Sequence, residues 1–184
     1  MKEIINGFMK TKEYVCIHKE AVYNDFSYGR IIGLDDNNVA YILISPEGYD
    51  DGILIEDIEE IRFIEQGGPY DEKMSKLMGM SNYKDREIEG SPTDLIQWGL
   101  EYAHKNRLMV IVEVEKSGRD NIMGLVKSIE RGLCAVTQID LYGEYDGDAY
   151  VRIESISHLW IDSVDARRML ALYDINRDCS GAKK

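Results

Sequence analysis

The stretch GRIIGLDDNNVAYILISPEGYDDGILIEDIEEIRFI, residues Gly29–Ile64, decides the fold that this sequence predicts. Runs of β-branched and other apolar residues alternate with two polar segments, a pattern typical of short strands. The first segment, Asp35–Asn38, contains Asp and Asn side chains that close tight turns and tolerate left-handed backbone. The second, Pro46–Gly52, is a looser hairpin loop. The stretch therefore predicts three consecutive strands folded back on one another.

A second stretch of the same kind begins ninety-five positions further along the chain. It is GLVKSIERGLCAVTQIDLYGEYDGDAYVRIESISHL, residues Gly124–Leu159. Two glycines, an Ile-x-x-Ile pair and a helical stripe keep one register between the halves, which chance rarely produces. The matches are Gly29 with Gly124, Gly52 with Gly147, Ile58 with Ile153, Ile61 with Ile156, Met74 with Met169 and Leu77 with Leu172. We therefore expect an internal duplication.

Each half reads as a helix, five short strands and a further helix. Leading helices are predicted over residues 3–9 and from Thr93 or Asp94, and following helices from Asp71 and over Val164–Asp174. Five strands in about 55 residues bury too little for a sandwich but suit a small barrel. The predicted fold is mainly β with short helices (α+β). It has two tandem five-stranded barrels, in residues 1–81 and 94–184, joined by a polar linker, 82–93.

The glycine pattern of the second strand resembles that of the Sm-like fold, which includes the Sm and LSm proteins and the bacterial Sm-like RNA chaperone. The matching residues are Gly29, Ile31, Gly33, Asp35 and Asn38. Glycine permits the sharp bend of this strand and a close backbone approach. The family's later Ile-Arg-Gly motif is absent, because Ile55-Glu56-Asp57 occupies that place. The second half keeps Gly124, but Ser128, Glu130 and Leu133 stand where the first half has Gly33, Asp35 and Asn38. Another SH3-like barrel, such as a PRC-type barrel, is the alternative.

The resemblance implies a nucleic-acid site and a mode of assembly. In the Sm-like family, RNA bases contact the turn after strand two, which here supplies Asp35, Asn37 and Asn38. The partner turn carries Glu56 and Asp57, whose charges are expected to repel phosphate. Sm-like units also pair through exposed strand edges. We therefore expect either a homo-oligomer or an intrachain pseudo-dimer.

Composition narrows the choice of partners. The 184 residues include 22 Lys and Arg against 34 Asp and Glu, a net charge of −12. Non-specific binding to nucleic acid or an anionic membrane requires excess positive charge, so RNA is disfavoured and no membrane partner is expected. Cys16 and Cys134 lie in apolar runs and are predicted to be buried reduced thiols, which suits a cytoplasmic location. The N-terminus has no signal-peptide pattern, and no apolar run is long enough to cross a bilayer.

The other candidate metal-binding and catalytic residues are better explained by structural roles. His18, His104 and His158 lack metal-ligand spacing, and we predict no metal site and no cofactor. The alternating carboxylates Glu144, Asp146 and Asp148 fit a hairpin turn better than a calcium site. The Asp174–Asp178 segment opens like an EF-hand loop, but the required glycine is missing. No catalytic motif is present. Trp98 and the 12 tyrosines are candidates for an interface, whereas Trp160 is expected to cover the end of a barrel or to pack against a helix.

The function predicted from the sequence is a non-enzymatic acidic binding or scaffold module, of unknown biological role, with a protein or peptide partner. The first alternative is an Sm-like RNA-binding protein that acts through Asp35, Asn37 and Asn38. The second is an enzyme with an unrecognised site between the two barrels.

Overall fold

The structure is a computed structural model that describes residues 1–19, 26–86, 92–114 and 121–181. The described chain divides into two compact units, Met1–Leu95 (unit 1) and Ile96–Lys184 (unit 2). Residues 87–91 of the predicted linker lie outside the described residues, as does most of the turn predicted after the first strand. No helix in the described part of the chain is both long and apolar enough to span a membrane.

Unit 1 is an antiparallel sheet of five strands with a helix before and after it. The strands follow the order β5-β1-β2-β3-β4. Helix α2 starts at a proline, and the Asp71 carboxylate accepts the backbone N–H of Gly68 at 3.1 Å, which satisfies a free amide at the helix start. The elements are α1 (Lys2–Thr11), β1 (Tyr14–His18), β2 (Phe26–Leu34), β3 (Asn38–Ile44), β4 (Asp50–Asp57), β5 (Phe63–Glu65) and α2 (Pro69–Met80).

Unit 2 repeats this order of elements, with strands arranged β10-β6-β7-β8-β9. The last helix begins after Ser163, whose hydroxyl accepts the N–H of Ala166 at 3.2 Å. That helix continues past the predicted end at Asp174. The elements are α3 (Leu95–Asn106), β6 (Met109–Val114), β7 (Ile122–Glu130), β8 (Leu133–Ile139), β9 (Tyr145–Arg152), β10 (Ile156–Ile161) and α4 (Val164–Gly181).

The prediction of two closed, mainly β barrels is wrong: the chain is mixed α/β, and its strands form open antiparallel sheet. Closure of unit 1 requires a ladder between β4 and β5, yet β5 pairs with β1 among the described residues. A 3-10 turn, Ile58–Glu60, redirects the chain after β4, so β5 does not form a hairpin with it. In unit 2 the same turn, Ile153–Ser155, follows β9, and β10 pairs with β6.

Two glycines that the repeat pairs are required by close backbone packing. A Cβ at Gly29 would collide with the carbonyl oxygen of Ile42, and a Cβ at Gly124 would collide with that of Thr137. Ile42 and Thr137 are themselves ninety-five positions apart. Each glycine therefore lets β2 or β7 approach the next strand at a point where any side chain is excluded.

The hairpin loop and the following helix also meet in the same way in both units. In unit 1 the Ser81 hydroxyl donates to the carbonyl oxygen of Gly48 at 2.6 Å. In unit 2 the Asn176 side-chain amide donates to the carbonyl oxygen of Gly143 at 3.1 Å. Both glycines have positive φ, 84° and 74°, and a side chain at either would strike the helix. Matched positions thus share local geometry as well as residue type.

The residues that follow α2 are tied to the sheet of unit 1. The Arg30 guanidinium, which is buried, donates to the Asp85 carboxylate at 2.9 Å and to the carbonyl oxygen of Arg86 at 2.9 Å. Arg86 in turn pairs with Asp50 at 2.5 Å. The Tyr14 hydroxyl lies 3.1 Å from the Tyr83 hydroxyl. Residues 83–86 therefore pack as part of unit 1, although the sequence placed them in a linker.

Candidate binding surface

The Asp35 carboxylate, predicted to contact RNA, is occupied by its own turn. Oδ1 accepts the backbone N–H groups of Asn37 at 2.8 Å and Asn38 at 2.6 Å, and Oδ2 accepts that of Leu95 at 2.8 Å. Burial raises the pKa of Asp35, but the hydrogen bonds from Leu95, Asn38 and Asn37 outweigh it, so the net pKa is lowered. The carboxylate is therefore an ionised structural acceptor. Asn37 is exposed and its carbonyl oxygen accepts the N–H of Ile58; RNA contact by this turn stays a prediction.

Glu56 does not present its charge at the surface, contrary to the expectation that it repels phosphate. Its side chain is fully buried. Oε1 accepts the Tyr41 hydroxyl at 2.5 Å, and Oε2 lies 2.5 Å from the Lys19 ammonium. The neighbouring Asp57 carboxylate caps the 3-10 turn by accepting the N–H of Glu59. The Glu56 carboxylate is therefore part of a buried polar cluster, and the Asp57 carboxylate stabilises a turn.

Each of the three histidines has a partner within its own unit, and for His158 it is the Ser157 hydroxyl oxygen, 3.3 Å from Nδ1. His18 stacks on Phe63, with ring centroids 4.0 Å apart, and its Nε2 lies 2.8 Å from Glu65. His104 Nδ1 lies 2.8 Å from the carbonyl oxygen of Val126. These stacking and hydrogen-bonding contacts support structural roles for the histidines.

The three alternating carboxylates of unit 2 have different environments. Asp148 pairs with the Lys127 ammonium at 2.5 Å and accepts the Thr137 hydroxyl at 3.1 Å. These hydrogen bonds, chiefly that from Lys127, lower the pKa of Asp148. Glu144 and Asp146 are exposed. Asp148 is thus engaged by a cation, while the other two carboxylates face solvent.

The exposed strand β9 is the feature that best suits a binding surface. Within the described residues it pairs with β8 alone and ends the strand order. Tyr145 is 61% exposed and Tyr150 is 71% exposed. Leu133 of β8, opposite Arg152, is 43% exposed. A free strand edge presents unpaired N–H and C=O groups that can pair with another chain, and the exposed tyrosines add apolar contact area beside it.

A pocket of about 420 Å³ lies where β9 begins. Arg177 covers one face of the Tyr173 ring, with its guanidinium carbon 5.5 Å from the ring centroid. The pocket therefore extends the edge of β9 with aromatic and charged groups. It is lined by Gly143, Glu144, Tyr145, Tyr173, Asn176 and Arg177.

The sequence predicted that tyrosines as a group contribute to an interface, but it did not single out Tyr145, Tyr150 or Tyr173. Trp98, also suggested, stacks on Tyr102 with ring centroids 5.5 Å apart, and Trp160 stacks on His158 at 5.4 Å. Both tryptophans are half-buried. The segment YGEYDGDAY contains three tyrosines, but their exposure depends on the position of β9 at the edge of the sheet. No local sequence pattern predicts that position.

Comparison with known proteins finds no matching family model, no similar curated protein and no similar solved structure. The relationship to the Sm-like family therefore stays a prediction.

Proposed function

We propose that the protein is a non-enzymatic binding or scaffold module that pairs the edge of β9 with an extended segment of a protein partner. The observation that carries this proposal is the eight-residue strand β9, which pairs on one side only within the described residues. An added strand gains main-chain hydrogen bonds for affinity and side-chain contacts for specificity.

The hydrogen-bond pattern indicates which residues present their backbone to a partner. The Ile153 N–H donates to the carbonyl oxygen of Gly132 at 3.0 Å, at the end of the β8–β9 ladder. Hydrogen-bonded pairs alternate along an antiparallel ladder, so Val151 and Ala149 share the orientation of Ile153. Tyr150 and Arg152 therefore direct their N–H and C=O groups away from β8.

Side chains beside this edge favour a protein partner. Tyr145 and Tyr150 supply large contact areas at a low cost in conformational entropy. Asp148, which is paired with Lys127, lies two residues before Tyr150 and therefore on the same face of β9. An apolar and aromatic surface with a neutralised ion pair suits a peptide better than a polyanion.

The edge can be blocked at Arg152 with little damage to the fold. Arg152 has φ −71°, which is close to the angle that proline imposes, and its side chain is 73% exposed. Arg152→Pro removes one outward N–H, whereas Arg152→Ala retains it. The probe is a displayed library of random peptides of about ten residues, enough to span the strand.

We expect selected peptides to bind the wild-type protein and the Arg152→Ala variant, and to bind Arg152→Pro at least about tenfold more weakly. Hydrogen exchange should show protection of the Tyr150 and Arg152 amides in the complex. Peptides that bind Arg152→Pro normally and leave β9 amides unprotected would overturn the proposal.

A second copy of the chain is the alternative occupant, and light scattering as a function of concentration tests it. A concentration-dependent mass that Arg152→Pro abolishes would favour self-assembly over a foreign partner. We also propose a reducing, cytoplasmic location, which the buried free thiols of Cys16 and Cys134 support.

A further inference from the structure

The two ends of β9 differ in charge. Glu144 and Asp146, at its start, are exposed carboxylates. Arg152, at its end, is 73% exposed and lies 3.8 Å from Glu154, which is 80% exposed. Because Arg152 and Glu154 balance each other, the end of β9 has no net charge, whereas the start carries two negative charges.

Nearby charges do not cancel this asymmetry. Arg177 lines the pocket next to Glu144, but it lies over the Tyr173 ring and is attracted to Asp174 in the same helix. Asp140, at the base of the loop, adds a carboxylate whose Oδ1 accepts the N–H of Glu144 at 2.9 Å. The start of β9 therefore stays acidic, and Asp148 in its middle is neutralised by Lys127.

We propose that the partner is an extended peptide that runs antiparallel to β9 and carries basic residues at its own C-terminal end. This inference rests on the proposed function. An antiparallel strand places its C-terminal end against Glu144 and Asp146. All of the ladders between described strands of unit 2 are antiparallel, and that arrangement is slightly the more stable per residue. Opposite charges at the rim set register and partner choice more than affinity.

Two peptides of one composition test the direction. The first, TVTVTVKK, carries its lysines at the C-terminal end, and the second, KKTVTVTV, carries them at the N-terminal end; both are acetylated and amidated. We expect the first to bind about fivefold more tightly at low salt, because two exposed charge pairs together contribute about 1 kcal/mol. The difference should shrink as salt screens these pairs.

A charge-reversed variant provides the matched control. In Glu144→Lys combined with Arg152→Glu, the preference should invert, while the outward backbone groups of β9 are unchanged. Equal binding of the two peptides, or tighter binding of KKTVTVTV to the wild-type protein, overturns the inferred direction. If Arg152→Pro weakens both peptides alike, the edge site itself stands; if neither peptide binds the wild-type protein, the proposed function fails with it.

Discussion

Tyr41 donates a hydrogen bond of 2.5 Å to Oε1 of Glu56 inside unit 1, where neither side chain is exposed. Burial, followed by the negative charge of Glu56, raises the pKa of Tyr41 well above its ordinary value, so the hydroxyl remains a donor. The matched positions of unit 2 are Val136 and Val151, both buried. Unit 1 therefore holds a polar network at positions where unit 2 has two buried apolar side chains.

Removal of the cation in this network should destabilise unit 1. In Lys19→Met the Glu56 carboxylate loses the ammonium that lies 2.5 Å away. We expect the free energy of unfolding to fall by about 2 kcal/mol, because a buried charge that loses an ionic partner retains its desolvation cost. Urea denaturation measures the change. Lys76→Met, at an exposed position of α2, is the control, and equal effects of the two variants would contradict the prediction.

Substitution of Gly29 tests the close approach of β2 to β3. Gly29→Ala places a methyl group against the carbonyl oxygen of Ile42, so the strands must separate. We expect a loss of about 2 kcal/mol in the free energy of unfolding. The control is Gly79→Ala in the same unit, at a helical position with open space around it. This second change should stabilise the protein by about 0.5–1 kcal/mol, and a similar sign for both would argue against so close an approach of the two strands.

The segment after α2 should detach when Arg30 is replaced. Arg30→Met removes the hydrogen bonds to Asp85 and to the carbonyl oxygen of Arg86 while preserving much of the length of the side chain. We expect faster hydrogen exchange at residues 83–86 and a loss of about 1–2 kcal/mol in stability. Arg62→Met changes an exposed arginine of the same unit and should leave both measurements unchanged. Unaltered exchange in Arg30→Met would show that other contacts hold the segment.

Thiol reactivity should separate the three cysteines. Burial raises the pKa of Cys16 to about 12 and that of Cys134 to about 11, whereas Cys179 is exposed. A thiol reagent at pH 8 is therefore expected to modify Cys179 rapidly in the native protein and all three thiols in denaturant. Loss of fast labelling in Cys179→Ser identifies the site. Rapid labelling of Cys16 or Cys134 in the native protein would contradict their burial.

The same thiols give stability a defined pH dependence. Their folded-state pKa values are raised above the ordinary value of about 9, so the folded protein favours the neutral thiol. That contribution to stability is complete below pH 9 and is lost as the pH rises toward the folded-state values.

Much of the local structure follows from the sequence alone, because turns, apolar periodicity and helix starts are encoded by neighbouring residues. The Asp35–Asn38 turn, the strands on either side of it and the order of elements in both halves were predicted in this way. The glycines of β2 were also predicted to permit close backbone approach, and the structure places a carbonyl oxygen against Gly29 and against its repeat partner Gly124.

Tertiary structure alone decided the closure of the sheets, the environment of the charges and the position of the free edge. Whether β5 pairs with β1 or β4 depends on residues far apart in the chain, so no local pattern predicts it. In the sequence, Glu56 follows an apolar run and was expected to be a surface carboxylate. In the structure, it is buried beside Tyr41 and Lys19. Tyr150 and Arg152 became candidate binding residues only because β9 ends the strand order. The sequence determines which elements form, whereas long-range pairing determines which of their groups remain for a partner.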